Sequence, residues 1–261
     1  MRKLILQLSG IFIFTFGIIA LYSFSELQIE IYGIEIKKAE IKEAIIDTGD
    51  KNNLTEENPK KDNNTFQSDK IASKLDSSKQ KILIIGDSMT EGIMRAMNDY
   101  CAFNNHKLYS VIWSSSSIQG WSKSSRLKSY VSNFKPTYII VVLGSNELLV
   151  PNSTRREESV RSILKQAEGV DLVWVGPPNW REDAGINKQL TEILGQDRFF
   201  LSKDLKFDRQ RDGCHPTMKS GKMWTDEIAK WIMEKAKHRI LLNRPEAAAD
   251  VKPDVVYFNN N

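Results

Sequence analysis

Cysteine and histidine are scarce in this sequence. Only two cysteines and three histidines occur among its 261 residues, and their positions do not match the ligand spacing of a zinc site. The sequence also contains no Gly-x-Ser-x-Gly turn, no phosphate-binding loop and no glycine fingerprint for dinucleotides. We therefore predict neither a bound metal nor a nucleotide cofactor.

Neither positive nor negative charge is concentrated in one part of the sequence. The net charge is +4, from 37 Lys and Arg against 33 Asp and Glu, and no dense basic patch is interleaved with aromatic residues. Such patches are the usual footprint of nucleic-acid binding, so we predict no nucleic-acid partner. With 41% hydrophobic and 27% charged residues, the chain is long enough for one medium-sized domain with extensions.

One long apolar segment, residues 4–24, lies near the amino terminus. It has about 20 residues, which is enough for a helix to cross a bilayer. Met1, Arg2 and Lys3 precede it, and positive charge before a span keeps that end in the cytoplasm. We expect residues 1–25 to be a single-pass membrane anchor, with the rest of the chain on the extracytoplasmic (periplasmic or outer) side. A cleaved signal peptide, with a small-x-small site at residues 23–25, is the alternative.

Three segments outside the main domain have less regular patterns. Residues 26–46 combine an alternating and a helical apolar pattern, and we expect a membrane-proximal stalk; docking to a membrane-protein partner is the alternative. Residues 47–80 are rich in Asp, Asn, Lys, Ser and Thr, which predicts a flexible tether. Residues 244–261 are expected to be a loose tail, although residues 255–258 could pair with a strand.

Residues 81–243 alternate between the patterns of strands and helices. Short apolar runs without polar alternation are typical of buried parallel strands, and the segments between them have apolar residues at helical spacing. Strands are predicted at 82–85, 107–113, 138–143, 171–175 and, weakly, 198–201; helices are predicted at 89–100, 122–134, 154–168, 186–194 and 217–240. The alternation predicts an α/β domain with a parallel sheet and helices on both faces.

The first predicted strand ends abruptly in Gly86-Asp87-Ser88. Gly86 allows a sharp turn, and either Asp87 or Ser88 could cap the helix that follows. Ser88 would then lie at the carboxyl end of a strand and the amino end of a helix. Open α/β sheets bind ligands at this edge, where helix N–H groups stabilise anions. Helix capping alone would also explain these residues, so they do not identify a catalytic site by themselves.

Two further motifs favour a catalytic site. Leu143-Gly144-Ser145-Asn146-Glu147 follows the third predicted strand, and Asp212-Gly213-Cys214-His215-Pro216 precedes the last predicted helix. Together with Gly86-Asp87-Ser88, they resemble the SGNH (GDSL-type) family of serine esterases, over about residues 80–235. The resemblance implies a flavodoxin-like, three-layer sandwich with a mostly parallel, five-stranded sheet. Glu147 stands where many members of the family have aspartate.

The residue types in these motifs suit a catalytic triad. A serine hydroxyl is a weak nucleophile until a base removes its proton. His215 is the natural base for Ser88, because imidazole titrates near neutral pH. Asp212 can orient the imidazole and stabilise the imidazolium that forms, and Asp208 is a rival carboxylate. The predicted catalytic residues are therefore Ser88, Asp212 and His215.

Attack on an ester places negative charge on the carbonyl oxygen, and N–H donors must already point at it. The Ser88 backbone N–H and the Asn146 side-chain amide are expected to serve, because both emerge at the same sheet edge. The family resemblance implies a third donor, a glycine N–H after the second strand. Gly120 is the only glycine in that loop. The resulting esterase needs no cofactor.

The remaining histidines and the cysteines are not assigned to catalysis. His106, in a predicted surface turn, and His238, near the end of the last helix, are interpreted as structural or solvated. Cys214 is predicted to lie beside Ser88, whereas Cys101 lies about 13 residues along the first helix, roughly 20 Å away at 1.5 Å per residue. A disulfide needs α-carbons within about 7 Å, so both cysteines are predicted to stay unbridged.

Aromatic residues indicate the class of substrate. Trp121 and Trp180, with Arg181, are predicted near the carboxyl ends of strands and would suit stacking against sugar rings. Core packing is the alternative, and it fits Trp174 and Trp224 better. An anchored extracytoplasmic domain would meet envelope or surface polysaccharides. We expect a serine esterase that removes O-acyl, chiefly O-acetyl, groups from a glycan; an O-acetyltransferase with the same triad and a catalytically silent glycan-binding or scaffold protein are the alternatives.

Overall fold

The computed structural model describes residues 74–258 and, nearer the amino terminus, the backbone of Glu30–Ile31 and Ile34–Glu35. These two short strands pair antiparallel within the first of two units, Met1–Gln67 and Ser68–Asn261. Within the described part of the chain, no helix is long and apolar enough to cross a membrane. The predicted anchor at residues 4–24 and the part of the predicted tether at residues 47–73 lie outside the described residues. The tether prediction is wrong for residues 74–80, because Asp76 pairs with Ile240 and Gln80 is buried.

The second unit is built on a six-stranded, all-parallel sheet. Its strands are β1 (Lys81–Gly86), β2 (Lys107–Trp113), β3 (Tyr138–Val142), β4 (Asp171–Val175), β5 (Phe199–Phe200) and β6 (Asp254–Phe258). Their order across the sheet is β5-β4-β3-β1-β2-β6. The predicted α/β class and parallel sheet are confirmed, and the order of the first five strands is consistent with a flavodoxin-like fold. The predicted strand count of five is wrong, because β6 adds a sixth strand beside β2.

Six α-helices connect or flank these strands. They are α1 (Thr90–Phe103), α2 (Ile118–Ser124), α3 (Arg126–Phe134), α4 (Thr154–Gln166), α5 (Ile186–Leu194) and α6 (Met218–Glu234). The single helix predicted at 122–134 is wrong, because Ser125 adopts a left-handed conformation (φ 50°) that separates α2 from α3. The last helix ends before residue 240, and Ile240 instead packs into the core beside α6.

The sheet is buried on both faces, as expected for strands without polar alternation. Ile82 and Ile84 of β1 face a core covered by α1 and α6, whereas Leu83 and Ile85 face a core covered by α2, α4 and α5. Helices α1 and α6 approach each other closely. A Cβ atom on Gly221 of α6 would overlap the carbonyl of Gly92 in α1, so this contact needs glycine.

The carboxyl-terminal part of the chain is not a loose tail as far as residue 258. We call residues 243–258 the C-terminal strap. It crosses α1, where Asp99 accepts the Ala249 N–H (2.9 Å) and the Asn98 amide donates to the Val251 carbonyl (2.6 Å). Its last five described residues form β6, paired in register with β2. The strap therefore ends at the carboxyl edge of the sheet.

Candidate active site

Ser88 lies at the junction between β1 and α1. Gly86 ends the strand with no room for a side chain, since a Cβ atom there would overlap the Val142 carbonyl and the Thr90 hydroxyl. The Asp87 N–H donates to the same Val142 carbonyl (3.2 Å), which fixes the turn against β3. Ser88 follows, half-buried, two residues before α1 begins. The predicted placement of Ser88 between a strand and a helix is therefore confirmed, but neither Asp87 nor Ser88 is the N-cap, which is Met89.

His215 is supplied by a hairpin-like loop that precedes α6. Residues Arg209 and Pro216 pair across this loop, the Gln210 N–H donates to the His215 carbonyl (2.8 Å), and the Thr217 N–H donates to the Asp208 carbonyl (2.9 Å). These backbone bonds hold a short loop in one conformation. The loop presents the His215 ring to the start of α1.

The three predicted catalytic side chains form one hydrogen-bonded chain. His215 Nε2 lies 2.8 Å from Ser88 Oγ, and His215 Nδ1 lies 2.7 Å from Asp212 Oδ2. The second oxygen, Asp212 Oδ1, accepts the backbone N–H groups of Cys214 (2.8 Å) and His215 (3.0 Å). The carboxylate is thus fixed while its other oxygen holds the imidazole. The exposed side chain of Asp208 does not take this place.

Hydrogen bonding also sets the charge of Asp212. The Cys214 N–H, the His215 ring and the His215 N–H together lower the pKa of Asp212 from 3.8 to about 2. Hydrogen bonds to the charged form of a carboxyl group have this effect. Asp212 therefore stays ionised throughout the neutral and mildly acidic range, which suits a carboxylate that stabilises an imidazolium.

Asn146 lies in a short 3₁₀ turn (Ser145–Glu147) directly after β3. Its exposed side-chain amide donates to the Ser116 carbonyl (2.7 Å). Next to it, Glu147 Oε1 accepts the Ile118 N–H (2.6 Å). Because an amide nitrogen has two hydrogens, one can fix the side chain against Ser116 while the other stays available to a ligand.

Gly120 lies inside the first turn of α2 rather than in an open loop. Its N–H donates to the Ser117 hydroxyl, the N-cap of this helix (3.0 Å). The N–H group thus already has a partner, and the role of Gly120 as an oxyanion donor stays a prediction. In the same loop, Ser115 adopts a positive φ of 57°, a conformation in which glycine is favoured. The sequence analysis did not anticipate this feature.

A buried carboxyl group lies directly beneath the nucleophile. Asp87 is fully buried, and its Oδ1 accepts the Met89 N–H (2.9 Å). Burial raises the pKa of Asp87 to about 7, and the nearby Glu147 acts in the same direction. Glu147 is itself largely buried, and burial raises its pKa too. Asp87 is thus a structural part of the turn that carries Ser88.

An open cleft of about 520 Å³ reaches the catalytic pair, with Ser88 and His215 in its lining. The chain matches no family model and no curated protein.

The tryptophan prediction is only partly supported. The prediction that Trp121 binds substrate is wrong, because its side chain is fully buried and its indole N–H donates to the Ser116 hydroxyl (2.9 Å). Trp180 is half-buried and packs against the core, and Arg181 is exposed; their contact with substrate stays a prediction. Trp174 and Trp224 are buried, as the core-packing interpretation requires.

The residues not assigned to catalysis have structural places. His106 is buried rather than in a surface turn; its Nδ1 accepts the Gln80 N–H (3.1 Å), so its Nε2 donates to the Leu241 carbonyl (2.6 Å). His238 pairs with Asp171 beyond the end of α6. Both cysteines are unbridged, as predicted. Within residues 74–258, no cluster of three potential metal ligands occurs.

Arg209 is a residue that sequence reasoning missed. Its guanidinium donates to the carbonyls of Cys214 and Asn179, each at 2.7 Å. It therefore joins the loop that carries His215 to the segment before Trp180. No motif marks such a residue, because its two carbonyl partners lie in separate loops.

Proposed function

We propose that this protein is a serine hydrolase of the SGNH type, which cleaves carboxylic esters through an acyl intermediate on Ser88. The observation that carries the proposal is the continuous hydrogen-bonded chain from Asp212 through His215 to Ser88. A serine, an imidazole and an ionised carboxylate in this order are the components of nucleophilic acyl transfer.

The first half of the reaction uses this chain directly. His215 Nε2 takes the Ser88 hydroxyl proton while Ser88 Oγ attacks the ester carbonyl. The resulting oxyanion is bound by the Ser88 N–H and the second amide hydrogen of Asn146. The imidazolium then returns the proton to the leaving alcohol, and the acyl group stays on Ser88. In the second half, His215 activates a water molecule that releases the acid and restores Ser88.

The substrate that best fits the whole chain is an O-acylated, chiefly O-acetylated, glycan. Residues 4–24 would anchor the protein in the membrane, and residues 47–73 would let the catalytic domain reach envelope or surface polysaccharides. Protease added to intact spheroplasts is expected to remove the domain. Full protection would contradict this topology, and a soluble form without residues 1–25 would indicate a signal peptide instead.

Active-site labelling tests the proposed nucleophile. A fluorophosphonate should form one covalent adduct on the full-length protein, and mass spectrometry should place it on Ser88. Ser88→Ala should abolish the adduct. Ser114→Ala is the matched control, because this serine lies in the loop after β2, and it should be labelled like the unaltered protein. An adduct that persists in Ser88→Ala would end the serine-hydrolase proposal.

A second assay separates hydrolysis from acyl transfer, since both proceed through the same acyl-serine. The full-length protein is given an activated acetyl ester with and without an acceptor glycan. Release of acetate at a rate independent of the glycan is expected. Glycan acetylation that outpaces acetate release would replace the esterase with an O-acetyltransferase.

A further inference from the structure

The cleft at the catalytic pair extends well beyond the reacting atoms. Its floor is the first half of α1, one wall is the loop that carries His215 with the start of α6, and Tyr257 of β6 completes it. Of the described residues, those of segments 114–121 and 144–147 do not line this cleft. We call this cleft the α1 groove. It adjoins His215 and does not include Asn146.

This position determines which half of an ester the α1 groove can receive. The oxyanion belongs with the donors Asn146 and the Ser88 N–H. The leaving oxygen must lie within hydrogen-bond reach of His215 Nε2, which protonates it. A groove that begins at His215 and does not include Asn146 therefore suits the alcohol half of the ester.

The lining combines apolar surface with hydrogen-bonding groups of both kinds. The floor includes the buried methionines Met89 and Met94, whereas Met218 and Tyr257 are 74% and 57% exposed. Exposed apolar side chains grouped in a cleft are typical of a binding site. The polar lining residues carry donors, acceptors or both: Glu91, Arg95, Asp99, Gln210 and Lys222.

This combination distinguishes a sugar from an acyl chain. An acyl chain has no hydroxyl groups and would offer no hydrogen-bond partner to the exposed side chains of Glu91, Arg95 and Lys222. A sugar ring has an apolar C–H face that can stack on an aromatic ring, and hydroxyl groups that both donate and accept hydrogen bonds. The α1 groove offers an exposed aromatic ring, cationic donors and carboxylate acceptors together.

The C-terminal strap places Tyr257 in the groove. Val256 and Phe258 pack against the core on the face of the sheet opposite α1, where the Phe258 ring meets Tyr130 of α3, and successive side chains of a strand point to opposite faces. Tyr257 therefore projects to the face covered by α1. The bonds from Asp99 and Asn98 to the strap hold β6 at this edge. Without the strap, the groove would lose its aromatic wall.

We propose that the α1 groove binds the sugar that carries the ester and that the Tyr257 ring stacks on it. The choice of the alcohol half rests on the proposed function, whereas the binding of a sugar rests on the groove itself. Lys222 and Arg95 donate to hydroxyl oxygens, and Glu91 accepts from hydroxyl groups.

Binding is measured in the full-length Ser88→Ala protein, so that no turnover interferes. The probes are O-acetylated tetrasaccharides of xylose, glucose and N-acetylglucosamine, with octanoate as the acyl-chain probe. At least one tetrasaccharide should bind in calorimetry. Adding Tyr257→Ala should weaken its binding about five- to tenfold, whereas Tyr257→Phe should stay within about twofold, because the stacking face is retained. Lys222→Ala, on an exposed helix surface, should weaken binding about threefold.

Phe103→Ala is the matched control. This aromatic ring is 54% exposed at the end of α1, the helix that forms the floor of the groove, but it lies outside the groove. It should leave sugar binding unchanged. An equal effect of Tyr257→Ala and Phe103→Ala, or binding of octanoate in place of every tetrasaccharide, would overturn the proposal. If Tyr257→Ala does not fold, the proposal is overturned by unchanged sugar binding in Lys222→Ala, or by the absence of any preference for a tetrasaccharide over octanoate.

Turnover of 4-nitrophenyl acetate by the unaltered protein separates the two proposals. Turnover without binding of any tetrasaccharide would reject the sugar groove and leave the serine hydrolase. Tyr257-dependent sugar binding without turnover of any ester would support the groove and reject the hydrolase.

Discussion

Ser88 Oγ and His215 Nε2 lie 2.8 Å apart, although 127 positions separate the two residues in the chain. Two elements bring them together: the glycine turn after β1 and the loop before α6. The close contact between Gly92 and Gly221 packs the two following helices side by side. The contact of nucleophile and base is therefore a consequence of helix packing as well as of the motifs themselves.

Removing either member of this pair should abolish turnover without unfolding the protein. Ser88→Ala and His215→Ala are each expected to lower kcat by about 10³–10⁶-fold, because neither residue catalyses acyl transfer alone. The double variant should be no worse than the single ones. Thermal unfolding should shift little, since Ser88 and His215 are only half-buried. Retained activity in Ser88→Ala, or additive losses in the double variant, would contradict a single catalytic unit.

Asp212→Asn should be milder than His215→Ala. The amide can no longer act as a charged acceptor for His215 Nδ1, but Asp212 is exposed, so water can partly replace it. We expect kcat to fall by about 10⁴-fold, less than the loss of up to about 10⁶-fold expected for His215→Ala. Since the pKa of Asp212 is about 2, its titration should not affect activity between pH 5 and pH 8. Asp208→Asn is the carboxylate control, and it should keep near-normal kcat. A larger loss in Asp208→Asn would transfer the orienting role to that residue.

The sequence predicts the centre of this fold better than its edges, for physical reasons. β1 and β3 are uniformly apolar because both faces of a central parallel strand are buried, so their patterns are unambiguous. The triad is likewise predictable, because Asp212 and His215 are three residues apart and bond within one loop. The strand patterns and the Asp212–His215 bond depend on local sequence alone, whereas the contact of His215 with Ser88 also depends on the packing of α1 against α6.

The features that the sequence did not predict depend on distant contacts. The sequence allows residues 255–258 to pair with a strand, but it does not indicate the partner, because the pairing of β6 with β2 spans much of the domain. Trp121 is predicted near the carboxyl end of a strand, where it could stack on a sugar, and the helix is predicted only from residue 122. The left-handed Ser125 instead starts a separate helix, and α2 turns Trp121 into the core. Arg209 could not be foreseen, because both of its acceptors are backbone carbonyls.

Asn146→Ala should affect the rate more than substrate binding. The amide is fixed by the Ser116 carbonyl in the free protein, and its second hydrogen gains its full interaction only when the oxyanion forms. Loss of one such donor typically costs about 10²–10³-fold in kcat, with KM little changed. Leu149→Ala, an exposed neighbour, should keep near-normal kcat. A rise in KM with unchanged kcat in Asn146→Ala would assign Asn146 to substrate binding instead.

Arg209→Ala should loosen the loop that carries His215. It removes two charge-assisted bonds, to the Cys214 and Asn179 carbonyls, and the Asp212–His215 unit would then sample other positions. We expect kcat to fall by about tenfold, with a moderate loss of thermal stability. The exposed neighbour Arg211 provides the charge control, and Arg211→Ala should behave like the unaltered protein. Equal behaviour of the two variants would show that the bonds of Arg209 are dispensable.

The buried Asp87 should make stability depend on pH. Its pKa is raised from 3.8 to about 7, chiefly by burial, so between these values the folded state binds more protons than the unfolded state. The free energy of unfolding must then decrease as pH rises through this window, on the order of 1 kcal/mol per pH unit at most. The stabilisation is fully present below the ordinary pKa of 3.8 and is lost as pH rises through about 7, so that the loss is complete about one pH unit higher.

Asp87→Asn tests this dependence, because asparagine keeps an oxygen that can accept the Met89 N–H but cannot ionise. Urea unfolding is measured at pH 5 and pH 8 for the unaltered protein, Asp87→Asn and the exposed-carboxylate control Asp208→Asn. The unaltered protein and Asp208→Asn should lose stability in parallel between the two pH values, and Asp87→Asn should lose clearly less. Parallel losses in all three proteins would mean that the Asp87 carboxyl group does not titrate in this window. The pH dependence would then have to come from other groups.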